Sequence, residues 1–484
     1  MNKAFIFSMG VAAVATGCTL TPKLEKPSAP IAGQWPTGGS SPASMTNQFA
    51  GRPVDGIGWR DFFVDPRLQK LIELALTNNR DLRVAMLNVE ELRAQYRIRR
   101  AGLIPEIDGV AGASRSRIPA NVAGFSSAIT TTQYGLSLGL TSYELDFFGR
   151  ARSLKASALE SYLASESASR SARVSLVSEV AAQYLYELEL EEQLAVARQT
   201  LESVQASYKL NQRSYELGKT TELDVRTAEA QVQTARANVA AYTRLLAQAQ
   251  NALALVVGQR LPGELPAIQP LSSQSIDMDL PAGLPSDLLL RRPDIVDAEH
   301  QLAAANANVG AARAAFFPSI TLTGSFGTSS SQLKGLFGPG SAAWSFAPQL
   351  KIPIFELGRN VANLDVAKVR TRIEVAKYEK AIQSAFREVA DALVARSTLV
   401  DQLAADEALV SAQSRRLKLA EIRYRNGVDS YLVVLSAQQD LYTAQQSLLQ
   451  VRLAKLSSSI TLYKALGGGW VERSSNTATA AGPK

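Results

Sequence analysis

Phe317-Pro318-Ser319-Ile320-Thr321-Leu322-Thr323-Gly324-Ser325-Phe326 marks a change of period along the chain. Upstream, residues 286–317 read as a helix, and Pro318 cannot continue one. Downstream, Ile320, Leu322, Gly324 and Phe326 alternate with polar or small neighbours, the pattern of a half-buried strand. After a Gly- and Ser-rich loop the alternation returns at Trp344, Phe346, Pro348, Leu350, Ile352 and Ile354. The same order appears earlier. A helical stretch over 66–104 is closed by Pro105, and Ile107, Gly109, Ala111 and Ala113 follow, then Tyr134, Leu136, Leu138 and Leu140. Gly149-Arg150 and Gly358-Arg359 then open very long helical stretches. Four strands and about six helices are expected.

The resemblance between the halves is a tandem duplication. An offset of 209 lays 149–258 on 358–467 without a gap, matching Tyr215 with Tyr424, Gly218 with Gly427, Leu223 with Leu432 and Thr234-Ala235 with Thr443-Ala444. An offset of 213 pairs Asp81, Arg100-Ala101 and Pro105 with Asp294, Arg313-Ala314 and Pro318. The expected organisation is a signal segment 1–17, an anchor and belt segment 18–65, and a first repeat 66–258. The repeat holds strands over about 106–117 and 132–145 and a helical hairpin 149–258. A linker 259–285 leads to the second repeat 286–467, with strands over about 319–329 and 342–355 and a hairpin 358–467. Residues 468–484 form a tail.

Residues 150–217 lack proline and would reach roughly 100 Å as one helix. Gly218 and Gly427 are the expected turn points, because glycine takes φ > 0 without a Cβ clash. Leu190, Leu194, Ala197, Leu201, Val204, Tyr208 and Tyr215 follow coiled-coil spacing, as do Val225, Ala228, Val232, Ala235, Val239 and Tyr242 on the returning helix. That helix carries a second seam, Ala230, Ala237, Ala240, Ala247 and Ala254, facing nearly the other way. Two seams suit a wall of helices with neighbours on both sides; alanine as a mere helix former is the alternative.

Composition narrows function. The 484 residues carry net charge +7 with one histidine and one cysteine, His300 and Cys18. A His/Cys metal cluster, disulfide staples and a histidine-based triad elsewhere in the chain are excluded. No block of like charge supports nucleic-acid binding. No catalytic constellation or cofactor site is expected, so the chain reads as a non-enzyme. Lys3, the apolar stretch Phe5 to Ala15, and Ala15-Thr16-Gly17-Cys18 resemble a bacterial lipoprotein signal, with Cys18 as the site of a covalent lipid such as palmitate. An ordinary signal peptide cut near Gly17 is the alternative. His300 reads as a polar helix-face residue, and Arg291-Arg292 as partners for Asp287 or Asp294.

Four strands cannot close alone, and transmembrane barrels begin at about eight. Either the strands pack as a soluble sheet or several chains pool them.

Trp59-Arg60-Asp61-Phe62-Phe63-Val64-Asp65-Pro66-Arg67-Leu68, Asn78-Asn79-Arg80-Asp81-Leu82, Pro285-Ser286-Asp287-Leu288-Leu289-Leu290-Arg291-Arg292-Pro293-Asp294-Ile295 and Tyr424-Arg425-Asn426-Gly427-Val428-Asp429-Ser430-Tyr431-Leu432 resemble motifs of the TolC/OprM-like outer-membrane factors of tripartite efflux pumps, nearer the OprM-like lipoproteins. The resemblance implies an all-α plus membrane β-barrel fold: a homotrimer with a shared 12-stranded barrel in the outer membrane and an α-helical barrel through the periplasm. It implies an exit duct for drugs and other small molecules, working with a periplasmic adaptor and an inner-membrane transporter of the resistance-nodulation-division type. By similarity, Leu217, Gly218, Lys219, Asn426, Gly427 and Val428 are adaptor-docking tips. Tyr424 and Leu432, with Asp224, hold the closed end. Relatives place aspartates on the last helix where this chain has Val433 and Ser436; Asp429 and Asp440 are the acids nearby, in a different helical phase. The alternatives are the same fold serving type I protein secretion or metal-ion efflux, and a non-conducting lipoprotein coiled-coil scaffold.

Overall fold

A computed structural model describes residues 19–31, 54–123, 126–274, 276, 280 and 292–474. Cys18, Arg291 and the rest of 281–291 lie outside the described residues. The elements run α1 (Pro66–Asn78), α2 (Arg80–Ala101), β1 (Ile107–Ile118), β2 (Ile129–Leu145), α3 (Arg150–Glu216), α4 (Glu222–Val257), α5 (Pro293–Ala314), β3 (Ser319–Ser330), β4 (Ala342–Lys351), α6 (Leu357–Arg425) and α7 (Tyr431–Ala465).

The stretch 66–104, expected as one helix, is two. Asn79 has extended backbone. Its Oδ1 accepts from Leu82 N–H at 2.8 Å, and its Nδ2 donates to the Val256 carbonyl at 2.7 Å. Asparagine satisfies backbone groups that a helix would otherwise pair, so it ends α1 and starts α2 although apolar spacing continues across it. The fourth strand, expected to 355, stops at Lys351, with Pro353 just beyond unable to donate to a ladder.

The chain divides into two compact units. The first comprises the described residues within Met1–Ser28, Asn88–Ser165 and Asp297–Tyr378. Its sheet is antiparallel in the order β1-β2-β3-β4, which leaves β1 and β4 as edges. The register places Gly109, Leu138, Phe326 and Trp344 side by side on one face, with Ile107, Leu140, Gly324 and Phe346 as the next row. Asp108, Gly139, Ser325 and Ser345 form a row on the other face, where the Ser325 and Ser345 hydroxyls meet at 2.8 Å. The apolar face is uncovered: Leu138, Phe326 and Trp344 are 61%, 69% and 76% exposed. A bulge between Leu140 and Tyr143, with Ser142 at φ +53°, shifts the β2–β3 register near the helices. Residues 20–26 lie along α5: Arg313 and Asn306 donate to the Leu20 and Pro22 carbonyls, and Lys26 pairs with Glu299 at 2.5 Å. His300, expected as a polar helix-face residue, lies half-buried on α5 against Glu160 at 2.7 Å.

The second unit comprises the described residues within Ala29–Leu87, Glu166–Val296 and Glu379–Lys484. Trp59, Phe62, Phe63, Leu68, Tyr184 and Tyr463 are among its fully buried side chains. Phe62 stacks on Tyr463 at 3.9 Å, and the Tyr463 hydroxyl donates to the Ile57 carbonyl at 2.6 Å. Trp59 and Arg60 N–H groups bond to the Val471 and Glu472 carbonyls, tying the two ends of the unit together. Asp65 caps α1 through Arg67 N–H and accepts from the Tyr184 hydroxyl; burial foremost, then this bond, pushes the Tyr184 pKa up. None of the described helices is long and apolar enough to cross a membrane.

Arg292 pairs with Asp294 at 2.7 Å, as the sequence suggested, and also with Glu388 at 2.9 Å and the Ala465 carbonyl at 3.1 Å. Its side chain is 7% exposed while both acids are a little over a third exposed. Arg292→Ala therefore frees two acids that water can reach, and the cost falls below the ~3–5 kcal/mol of a fully buried pair, at about 2 kcal/mol. Urea unfolding followed by circular dichroism checks this; a loss under about 0.5 kcal/mol, within the range of a neutral surface change, would contradict it.

Candidate functional site

Both hairpin tips are built by one backbone device. Gly218 and Gly427 sit at φ +69° and +70°. Gly218 N–H bonds to the Tyr215 carbonyl and Lys219 N–H to that of Ser214; Gly427 and Val428 do the same to Tyr424 and Arg423, all at 2.8–2.9 Å. These are Schellman motifs, which satisfy the last carbonyls of α3 and α6 and turn the chain without a long loop.

Beyond the turn the two tips differ. On the first, Thr221 caps α4 in a capping box with Asp224, whose carboxylate also accepts from Thr220 at 2.8 Å. The bonds from Thr221 and Thr220 hold the Asp224 carboxyl below its ordinary pKa. On the second, Ser430 makes no side-chain cap bond, and Asp429 instead accepts a fork from Arg423 at 2.6 and 2.9 Å. Leu217, Val428 and Leu432 are each more than 60% exposed, with Lys219 and Asn426 open beside them.

The expected gate residues fall into two groups. Tyr424 points into the seam between the hairpins. Its hydroxyl donates to Asn211 Oδ1 at 3.0 Å, and Asn211 Nδ2 donates to the Ser207 carbonyl at 3.0 Å. Asn211 is completely buried. Tyr424 also lies 5.6 Å from Tyr431 and packs on the cluster of Ala228, Ala420, Tyr431, Val434, Leu435 and Ala437. Ala228 belongs to the first hairpin and the others to the second, so this cluster joins the two. Burial, then the nearby negative charge of Asp224, raises the Tyr424 pKa.

Asp429 and Ser436 belong elsewhere. Arg416 pairs with Asp440 at 2.5 Å and reaches Ser436 at 3.4 Å. Asp429 lines a groove of about 430 Å³ with Arg415, Arg416, Arg423, Leu419 and Val433. The nearby acids are thus neutralised within the chain by arginine. Sequence reading missed Asn211, Arg416 and Arg423. For Asn211 a signal existed: it occupies the vacant seam position between Tyr208 and Tyr215, a polar residue where a coiled coil expects an apolar one.

A family model described as outer membrane efflux protein matches residues 71–259 and 284–468. The chain belongs to the outer membrane efflux protein family. As a member it is an outer-membrane protein of efflux. It is 47% identical over 474 residues, covering 98% of this chain and 97% of the relative, to the toluene efflux pump outer membrane protein TtgC of Pseudomonas putida. To the cation efflux system protein CusC of Escherichia coli it is 42% identical over 471 residues, covering 97% and 100%. The open state of the MtrE outer membrane channel of Neisseria gonorrhoeae superposes with TM-score 0.84 at 41% identity, covering 95% of this chain and all of that one. The two matched stretches of the family member fall one in each half of the duplication.

Tyr424→Phe leaves the buried Asn211 carbonyl oxygen unpaired, at a cost of about 1–3 kcal/mol. Amide exchange across residues 420–437 should quicken, and Asn211→Leu combined with Tyr424→Phe should recover part of the loss. Unchanged exchange in the single variant would refute a role for this bond in holding the seam.

Proposed function

We propose that three copies of the chain pool their sheets into one 12-stranded barrel in the outer membrane, continuous with a periplasmic tunnel of long helices. The duct passes drugs and other small molecules out of a tripartite pump, as toluene is the small molecule named for the Pseudomonas putida relative. The observation that carries this reading is the sheet: an uncovered apolar face, a Ser- and Gly-rich opposite face, and two edges without partners among the described residues. Unpaired backbone groups in lipid cost several kcal/mol each, and only closure removes them. Ala230, Ala237, Ala240 and Ala247 are exposed on α4 and offer the second seam to a neighbouring helix. A non-conducting scaffold leaves the sheet without a role.

In this reading Cys18 carries a lipid that tethers each copy, and no other cofactor is needed. A periplasmic adaptor meets the exposed tips at Leu217, Gly218, Lys219, Asn426, Gly427 and Val428. An inner-membrane transporter of the resistance-nodulation-division type supplies the energy. Adaptor contact biases a closed-to-open equilibrium. Opening separates the second hairpin from the first at Tyr424–Asn211 and rearranges Leu432, Asp429 and Ser436 against neighbouring copies. Identity to a cation efflux protein favours metal-ion cargo as a second reading, but the five methionines, at positions 1, 9, 45, 86 and 278, are scattered along the sequence and argue against a soft-metal path.

A Cβ at Gly427 meets nothing within 4 Å, so bulk there acts on the docking surface. Gly427→Ala carries the same backbone strain of about 1–2 kcal/mol without the bulk. In a strain lacking the gene, wild type and Gly427→Ala should restore export of a fluorescent dye and resistance to unrelated drugs, and Gly427→Trp should not. Accumulation unchanged by deletion, with loss of a secreted protein from the medium, would replace drug efflux by protein secretion.

A further inference from the structure

The charges of the sheet are segregated. From Gly109 to Tyr143, and from His300 to Phe355, the sequence contains no aspartate or glutamate. The cations that these stretches place on the sheet and its connecting loops are Arg115, Arg117, Lys334 and Lys351. Lys351 stands at the end that leads into α6 and has Glu356 at 3.9 Å. The other three gather at the opposite end, where β1 turns to β2 and β3 to β4. No ion-pair partner meets them among the described residues.

Their orientation follows from register. Arg115 opposes Thr132 and Arg117 opposes Thr130, continuing the row of alternate positions that begins with Ile107 opposite Leu140. Both arginines therefore lie on the apolar face, beyond Leu136, Leu138, Phe326 and Trp344. Arg115 and Lys334 line one cleft of about 550 Å³ together with Thr132, Tyr134 and Leu333. Leu333 and Phe337 in the β3–β4 loop are 66% and 76% exposed. Cations, hydroxyls and uncovered apolar side chains thus share one cleft at the border of an apolar band.

We propose that this end of the sheet binds the phosphorylated sugar headgroup of an anionic outer-leaflet glycolipid, with Arg115, Arg117 and Lys334 on the phosphates and Leu333 and Phe337 against the acyl chains. The proposal rests on the reading that the apolar face meets lipid. Arginine forks match phosphate oxygens in pairs, and lysine adds a point charge. Bound lipid would pin the height of each copy in the membrane from the outside.

The test uses the assembled full-length protein in phosphatidylcholine vesicles containing bisphosphorylated lipid A. Lipid co-purifying with wild type is compared with that of Arg115→Gln/Arg117→Gln/Lys334→Gln, of Lys334→Gln alone, and of Lys351→Gln. The triple variant should retain at least about tenfold less lipid, Lys334→Gln an intermediate amount, and Lys351→Gln as much as wild type. Dephosphorylated lipid A should bind wild type no better than the triple variant does, and millimolar inorganic phosphate should not strip the lipid. Equal retention by wild type and triple variant, equal loss in Lys351→Gln, equal binding of the dephosphorylated lipid, or displacement by free phosphate would each overturn the site. Quenching by brominated acyl chains that disappears in Trp344→Phe reports insertion independently. If that quenching is absent in wild type, the barrel reading fails; if it is present while retention is unaffected, only the lipid site fails.

Discussion

Two rows of backbone groups, on the outer edges of β1 and β4, constrain everything else in the chain. A strand edge in water can be hydrated, but the same edge beside lipid leaves each N–H and C=O unpaired. In the proposed barrel, one face of the sheet meets the second environment. Its rows of Leu, Phe and Trp are uncovered, and its opposite rows are Ser, Gly and Thr. A duplication supplies two hairpin-like strand pairs per chain, and four strands is too few for a barrel. In the proposed assembly, association answers that shortage, and three copies give twelve strands.

The helical hairpins face a different demand, since a duct must be both closed and openable. In the proposed gate, the tips reconcile these with unlike contacts. The Schellman turns at Gly218 and Gly427 are local and leave the exposed side chains free for a partner. The hairpin–hairpin seam is held by the Tyr424–Asn211 bond, by a small cluster around Tyr431 and Ala437, and by Gln438, whose amide reaches the Ser203 and Ser207 hydroxyls. Small residues and side-chain hydrogen bonds make this contact, where the core of the second unit is built on aromatic rings around Phe62 and Tyr463. The arginine pairs at Asp429 and Asp440 are more exposed and contribute less to stability.

What could be read from sequence was whatever is encoded locally. Period-two runs, prolines after helices, and glycines at matched offsets each act within a few residues, and they placed the strands, helix ends and hairpin turns. Asn79 escaped because its effect depends on hydrogen bonds that override an apolar pattern still in phase. The pairing of residues 59–60 with 471–472, the Arg292–Glu388 pair and the Tyr424–Asn211 latch span long stretches of chain, and nothing local announces them. Asn211 was half-legible, as a polar interruption of a seam. Resemblance proposed Tyr424 for the gate, but its partner and the arginines beside Asp429 became visible only in three dimensions.

The mass of the complex extracted from the outer membrane in mild detergent tests the edge constraint most directly. Three chains per particle, giving twelve strands and no free edge, is the predicted result. A conducting particle with the mass of a single chain would contradict it, because its β1 and β4 would then stand unpaired in lipid.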